Sequence, residues 1–256
     1  QVINYEPKDR PISYEDLNAL CAGIKTCKGL VLQTRESRRV RNEIIFGEVP
    51  EEHVIFEFGQ KYLVKLLSNQ NVGLFLDMGH VRSWLSSRVD GKKILNLFSY
   101  TCAFSVSALS NGASAVVNVD MSKNAISWGT ANHRLNGQDL RKVTMFSYDI
   151  FKSWSKIKKL GPYGVVIIDP PTNQGGSFNA EKQYGQILKR VPDIAESGSV
   201  VLACLNSPFL GQDFILRQVS RWCPHCQLIE KLDAHPDFPD LHPERGLKVL
   251  AFKYRA

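Results

Sequence analysis

Three carboxylates occupy comparable places in the 256-residue chain, each at or near the end of a short apolar run. Asp120 follows Ala115-Val116-Val117-Asn118-Val119, Asp149 lies just beyond residues 142–145, and Asp169 follows Val165-Val166-Ile167-Ile168. A carboxylate at a strand tip can accept hydrogen bonds from a ligand's hydroxyl or amino groups, or simply cap the helix that comes next. Asp169 opens the triplet Asp169-Pro170-Pro171. Proline fixes φ and carries no backbone N–H, so two in a row make a rigid extended turn. Ligands of open α/β sheets bind at that carboxyl edge, where such a turn projects Asp169 into the cleft.

Upstream, the apolar run 94–97 breaks into Phe98-Ser99-Tyr100-Thr101-Cys102-Ala103 before a helical pattern starts at Phe104. Strand, turn, helix, strand, acid is the plan of a nucleotide-type cofactor site. The turn contains neither GxGxxG nor a Walker A loop. A dinucleotide needs those glycines because its pyrophosphate must approach the backbone. A cofactor without a pyrophosphate tolerates side chains there, and S-adenosylmethionine, with an amino-acid tail, a ribose and an adenine, is such a cofactor. Asp120 is then placed to meet the ribose hydroxyls and Asp149 the adenine amino group.

The elements that must position these groups follow from the pattern. Residues 1–29 read as a polar lead-in and a short helix, with Ser13 as N-cap. The runs 30–34, 42–47, 54–58 and 61–66 read as a small antiparallel β unit with a hairpin turn at Phe58-Gly59-Gln60-Lys61. A junction and a helix over 80–88 lead into strict alternation. Strands are expected at 94–97, 115–119, 142–145, 165–168, 199–204, 227–231 and 247–253, with helices at 104–109, 125–135 and 214–222. Such alternation predicts a doubly wound α/β fold, a Rossmann-like seven-stranded sheet. The division read from the sequence is 1–73, an N-terminal extension with the small antiparallel β domain, and 74–256, the catalytic domain.

Hydrophobic content of 43% and aromatic content of 10% suit a globular core. No apolar run reaches the ~18 residues of a membrane span, and the N-terminus lacks the order of a signal peptide. A cytoplasmic protein without membrane association is expected, and nothing specifies an oligomeric state. The formal charge is +7, compatible with a polyanionic partner. Arg35, Arg38, Arg39 and Arg41 form one basic cluster and Lys152, Lys156, Lys158 and Lys159 another; each is a phosphate-binding strip or a solvated face. The six cysteines are scattered, with Cys102 and Cys204 in apolar runs, which fits reduced, buried thiols. Cys223-Pro224-His225-Cys226 supplies two zinc-type ligands where a structural site needs four, and Cys21 with Cys27 could complete a set only by folding back. Packing is the simpler reading, so no metal is expected.

The segments "LNLFSYTCAFSV", "VVNVDMS", Asn132 with Asn136, "SYDIF", "IIDPPTNQGGSF" and "EKQY" occur in an order that resembles the class I S-adenosylmethionine-dependent methyltransferases. More narrowly, the chain is similar to bacterial large-subunit ribosomal RNA methyltransferases that modify cytosine carbon-5 or guanine nitrogen-7. "VGLFLDMGHVRSWL" resembles that family's upstream block. No PUA-type RNA-binding domain is evident. The resemblance implies that Phe98, Ser99, Tyr100 and Thr101 form the cofactor loop, with Asp120 and Met121 at the ribose and Asp149 on the adenine side. Phe75, Asp77 and Arg82 would border cofactor and substrate, and Asp169, Pro170, Pro171 and Lys182 would belong to the catalytic loop, with Tyr184 beside Lys182. Where the family has Gly-Gly, this chain has Cys102-Ala103.

The family's cytosine-C5 members carry a cysteine in a turn after the fifth strand; aligning that segment puts Asn206 there, with Cys204 two residues earlier, inside the strand. Carbon-5 methylation needs a thiolate to add to the ring. A nitrogen needs alignment and, for an amine, a proton acceptor, which Asp169 and Asn206 could serve by hydrogen bonding. Nitrogen methylation of a ribosomal RNA base is therefore the expected reaction. A structured RNA must present an unpaired or flipped base; Tyr100, Phe178 and Tyr184 are candidate stacking partners, and His235, His242 and Arg245 candidate rim residues. Two alternatives stay open: a methyltransferase of a protein or small molecule, and a non-catalytic S-adenosylmethionine-binding protein.

Overall fold

The computed structural model describes residues 2–5, 12–36, 39–67, 71–171, 173–174, 178–233, 235–238, 240 and 242–256. The chain divides into two compact units, one of Gln1–Phe56 with Tyr62–Leu74, the other of Glu57–Lys61 with Phe75–Ala256. In the first, strand β1 (Val2–Tyr5) precedes helix α1 (Tyr14–Gly23), β2 (Gly29–Glu36) and β3 (Arg39–Gly47). Ser13 caps α1 as its sequence position predicts, its Oγ accepting the Asp16 N–H at 3.0 Å. Leu17 and Cys21 of α1 pack on Leu30 and Leu32 of β2. β2 and β3 pair antiparallel, but β1 joins β2 in parallel. The lead-in thus contributes an edge strand, too short and too polar in its flanks to signal itself by alternation. β4 (His53–Glu57) and β5 (Gln60–Val64) form the expected hairpin, with Phe58 and Gly59 both at positive φ.

The second unit continues with α2 (Gly79–Ser86), β6 (Lys93–Leu97), α3 (Ala103–Ser110), β7 (Ala115–Val119), α4 (Lys123–Leu135), β8 (Val143–Phe146), α5 (Trp154–Leu160) and β9 (Tyr163–Ile168). A two-residue ribbon, β10 (Asn173–Gln174) with β11 (Phe178–Asn179), leads to α6 (Ala180–Leu188), α7 (Val191–Ile194) and β12 (Ala195–Asn206). Helix α8 (Gln212–Trp222), β13 (Cys226–Leu232) and β14 (Leu247–Tyr254) complete it. Seven strands form one sheet in the order β13-β14-β12-β9-β6-β7-β8. β14 runs antiparallel to both neighbours, while β12, β9, β6, β7 and β8 are parallel.

Apolar runs without alternation mean burial on both faces, and the side chains divide by parity. Leu95, Leu97, Val117, Val119, Val166, Ile168, Val201, Ala203 and Leu205 point into the layer holding Ile157, Tyr184, Ile187 and Val219 of α5, α6 and α8. Ile94, Val116, Val165, Ile167, Leu202 and Cys204 point into the opposite layer with Val81, Leu85, Phe104 and Ala108 of α2 and α3. Each fully buried Val or Ile contributes roughly 1.5–3 kcal/mol, so the central strands are stiff supports for whatever their carboxyl ends carry. α6 is an element that the sequence pattern does not announce; Asn179 starts it by accepting the Lys182 N–H at 3.1 Å. No helix of the described residues is long and apolar enough to cross a membrane.

Candidate active site

The turn after β6 is tightly wound. Phe98, Tyr100 and Cys102 take positive φ of 58°, 45° and 64°, a left-handed region that non-glycine residues enter only where surrounding structure enforces it. The enforcement is visible. Ser99 N–H donates to Val119 O at 3.1 Å and Cys102 N–H to Ser99 O at 2.7 Å. Asp120 accepts the Tyr100 N–H on Oδ2 at 2.9 Å and the Ser122 N–H on Oδ1 at 2.8 Å. Burial pushes the Asp120 carboxyl up, and those two N–H bonds oppose the shift. Each carboxylate oxygen keeps a second lone pair, so Asp120 can brace the turn and still accept from a ligand's hydroxyls.

Cys102 is fully buried against Gly129 of α4, where an added Cβ would lie 2.3 Å from its Sγ. Asn132 holds the same turn from α4, its Nδ2 donating to Thr101 O at 3.0 Å. Asn136 exchanges two hydrogen bonds with the Lys61 backbone, at 2.9 and 2.8 Å. Behind them His133 bonds Ser105 at 3.1 Å and Gln138 at 2.5 Å. Burial drives the His133 ring down to about 4, so it holds α3 to α4 as a neutral imidazole.

Among the other sequence-marked residues, Phe75 meets this turn directly. The Phe75 ring lies 5.5 Å from that of Tyr100, which is 6.2 Å from Trp128. Met121 and Tyr148, after β7 and β8, are exposed. Asp149 caps the 3-10 turn Ile150–Lys152, its Oδ1 accepting the Phe151 N–H at 2.9 Å. Arg82 is buried in an ion pair with Glu57: Nε donates to Oε2 and Nη2 to Oε1, both at 2.6 Å, while Nη2 also donates to Phe75 O at 2.9 Å. The guanidinium thus orders the Phe75 segment. It also holds down the carboxyls of Asp77 and Asp169, both raised chiefly by burial.

Asp169 reaches about 7, burial being the main cause, Asp77 adding to it and Arg82 opposing it. Pro170 is buried and Pro171 half-buried beside it. Ala203 of β12 pairs with Ile168 of β9, so Asn206, exposed at the end of β12, emerges level with the Asp169-Pro170-Pro171 turn. Lys182 is exposed on the first turn of α6. Lys248, buried at the start of β14, donates from Nζ to Ser207 O. Neither Glu57 nor Lys248 could be read from the sequence, for their partners lie 25 and 41 residues away.

Two expected stacking residues are corrected. Tyr184 is fully buried, its hydroxyl donating to Cys204 O at 3.0 Å. Phe178 packs between Phe98 and Phe151. Both rings belong to the core and present no face to a base. Cys204 is also fully buried, its thiol raised far above the ordinary range by burial. Of the basic strip, Arg41 is exposed with Glu43 at 3.8 Å and Arg35 donates to Gln33 Oε1 at 2.5 Å; Arg38 and the Arg39 side chain lie outside the described residues. Among the late-loop residues, His235 N–H donates to Asp77 O at 3.4 Å and its ring meets Phe238, while His242 and Arg245 lie near Glu244. Among the described residues no three His, Cys, Asp or Glu side chains cluster to hold a metal ion; Cys223 and Cys226 face each other at 3.1 Å.

A tight turn, a carboxylate with spare lone pairs at the next strand tip and exposed apolar side chains beyond it suit S-adenosylmethionine. Comparison with known proteins agrees. The chain is 35% identical over 238 residues to the ribosomal RNA large subunit methyltransferase I of Aeromonas hydrophila, an alignment covering 87% of this chain and 60% of that protein. It is 32% identical over 173 residues to the ribosomal RNA large subunit methyltransferase K/L of a Psychrobacter species, covering 65% of this chain and 21% of that protein. The chain therefore spans about 60% of the length of the methyltransferase I relatives it matches. A SAM-dependent methyltransferase from Streptococcus mutans superposes with a TM-score of 0.85 at 27% identity, over 93% of this chain and 64% of that one. Residues 13–253 match the S-adenosylmethionine-dependent methyltransferase family, and the chain belongs to it.

Proposed function

We propose that the protein is a cytoplasmic enzyme that methylates a nitrogen of a base in large-subunit ribosomal RNA, with residues 74–256 as its catalytic domain and 1–73 as an appended β domain. S-adenosylmethionine supplies a methyl group already activated by its sulfonium, so the chain has only to bind, align and manage a proton. Phe98, Ser99, Tyr100 and Thr101 hold the cofactor, Asp120 takes its ribose hydroxyls, and Met121, Asp149 and Phe75 flank it. Arg82 acts at one remove, by ordering Phe75 and moderating Asp169. Asp169, on a turn stiffened by Pro170 and Pro171, accepts a hydrogen bond or a proton from the target nitrogen; a carboxyl near 7 is matched to that task at neutral pH. Asn206 and Lys182 complete the substrate side.

The observation that carries the choice of nitrogen is the burial of every thiol in the catalytic unit: Cys102, Cys204, Cys223 and Cys226. Carbon-5 chemistry requires a thiolate that can reach the ring, and Asn206 stands at the strand end where one would serve. The ribosomal substrate rests on the names of the relatives and on the net positive charge of the chain. The test is transfer of labelled methyl groups from S-adenosylmethionine to RNA from cells lacking the enzyme, with total protein in parallel. Label in RNA is expected; label confined to protein would refute the assignment.

A further inference from the structure

Phe209 is 91% exposed, yet the turn that carries it is firmly anchored. Ser207, buried, accepts the N–H groups of both Phe209 and Leu210 on its Oγ, each at 3.2 Å. The buried Lys248 ammonium donates to the Ser207 carbonyl, and Leu210 packs against the core cluster below α8. Pro208 restricts the backbone between these anchors. An isolated exposed apolar residue is ordinary. A bare aromatic ring on a turn pinned at both ends by buried groups is a built feature.

Its position gives the ring a use. The turn follows Asn206 at the carboxyl end of β12, beside the Asp169-Pro170-Pro171 turn that follows β9. In the strand order, β12 and β14 lie on one side of β9, while β6 and β7, whose ends carry the cofactor turn and Asp120, lie on the other. Asp169 stands on the boundary, and Phe209 on the half of the edge away from the cofactor. Phe178 and Tyr184 are buried and cannot present a face, and Tyr100 is engaged with Phe75 and Trp128.

We propose that the Phe209 ring stacks on the unpaired nucleobase presented to Asp169, holding it in the plane from which methyl transfer occurs. This rests on the reading of RNA as substrate. Stacking of a base on an aromatic side chain is tolerant of base identity, because every base has a π-face, so Phe209 orients and the polar groups around Asp169 select.

The experiment compares the wild-type enzyme with Phe209→Ala, Phe209→Leu and Phe209→Tyr on an unmodified large-subunit ribosomal RNA transcript, measuring kcat/KM at several salt concentrations. Phe209→Ala and Phe209→Leu are expected to lose roughly ten- to a hundredfold in kcat/KM, and Phe209→Tyr to keep most of it. The salt slope should not change, because no phosphate contact is removed. Affinity for S-adenosylhomocysteine by calorimetry and the melting temperature should match wild type in all three. Full activity in Phe209→Leu would overturn the proposal, as would a parallel loss of S-adenosylhomocysteine binding or of stability in Phe209→Ala. Should the wild-type enzyme transfer no methyl group to RNA, the substrate reading fails, and the stacking role with it; an active wild type with an equally active Phe209→Ala removes the stacking role alone.

Discussion

Replacing Asp169 with asparagine should make the protein more stable at neutral pH while abolishing methyl transfer. The Asp169 carboxyl is moved from 3.8 to about 7, chiefly by burial and secondarily by Asp77, against the pull of Arg82. Each unit corresponds to about 1.36 kcal/mol, so ionising this group in the folded protein costs about 4 kcal/mol more than in the unfolded chain. Because the folded-state value is raised, the native state holds the proton more tightly. The associated stability is complete below about pH 4 and is lost as pH rises through about 7. Asparagine cannot ionise, so the variant should exceed wild type by about 2 kcal/mol at pH 5 and about 4 kcal/mol at pH 8. At about 2–4 °C per kcal/mol for a chain of this size, the gain in Tm at pH 8 is about 8–16 °C. Urea unfolding at pH 5, 6.5 and 8, with methyl transfer followed in parallel, measures both. A variant whose stability tracks wild type across that range would refute the reasoning, and so would one less stable at pH 8.

Three further outcomes follow from the packing. Arg82→Met leaves the half-buried Glu57 carboxylate without its partner and should cost about 1–3 kcal/mol, read as a fall in Tm of about 2–12 °C; an unchanged Tm would mean that the pair adds nothing to stability. Gly129→Ala drives a methyl group into Cys102 Sγ and should cost about 1–3 kcal/mol. Adding Cys102→Gly, which removes that sulfur and suits φ 64°, should recover part of the loss in both stability and S-adenosylhomocysteine affinity, whereas simple additivity would show that the two residues do not press on each other. Cys204→Ala should retain methyl transfer within about threefold, since its thiol is buried and protonated; loss of activity in a folded Cys204→Ala protein would contradict this and point to the thiol as a nucleophile.

The sheet was legible because parallel strands buried on both faces leave continuous apolar runs, as in Tyr163–Ile168, where all six residues are buried. The three acids at or near strand ends and the turn between 97 and 103 were legible for the same reason: they are where those runs stop. Pattern could not say which way a ring faces. Tyr184 and Phe178 follow the Asp169 turn closely in sequence, yet α6 turns the Tyr184 ring toward the core, where its hydroxyl reaches Cys204 O. α6 itself was hidden because Gly185 and its neighbours carry no clear start signal beyond Asn179. Gly185 is there because a Cβ would meet the Trp222 indole at 2.3 Å, a tertiary fact. Long-range pairs such as Glu57 with Arg82 and Lys248 with Ser207 leave no local trace either. Phe209 lay in an unremarkable loop until its anchors and its bare ring could be seen together.

The most direct test of the account is the identity of the methylated nucleoside. RNA labelled by the enzyme with methyl-deuterated S-adenosylmethionine, digested to nucleosides and resolved by mass spectrometry, should carry the deuterated methyl on a base nitrogen. Deuterated 5-methylcytidine would contradict it, since that product requires a thiolate at the carboxyl edge where Asn206 stands and where Cys204 is sealed in the core.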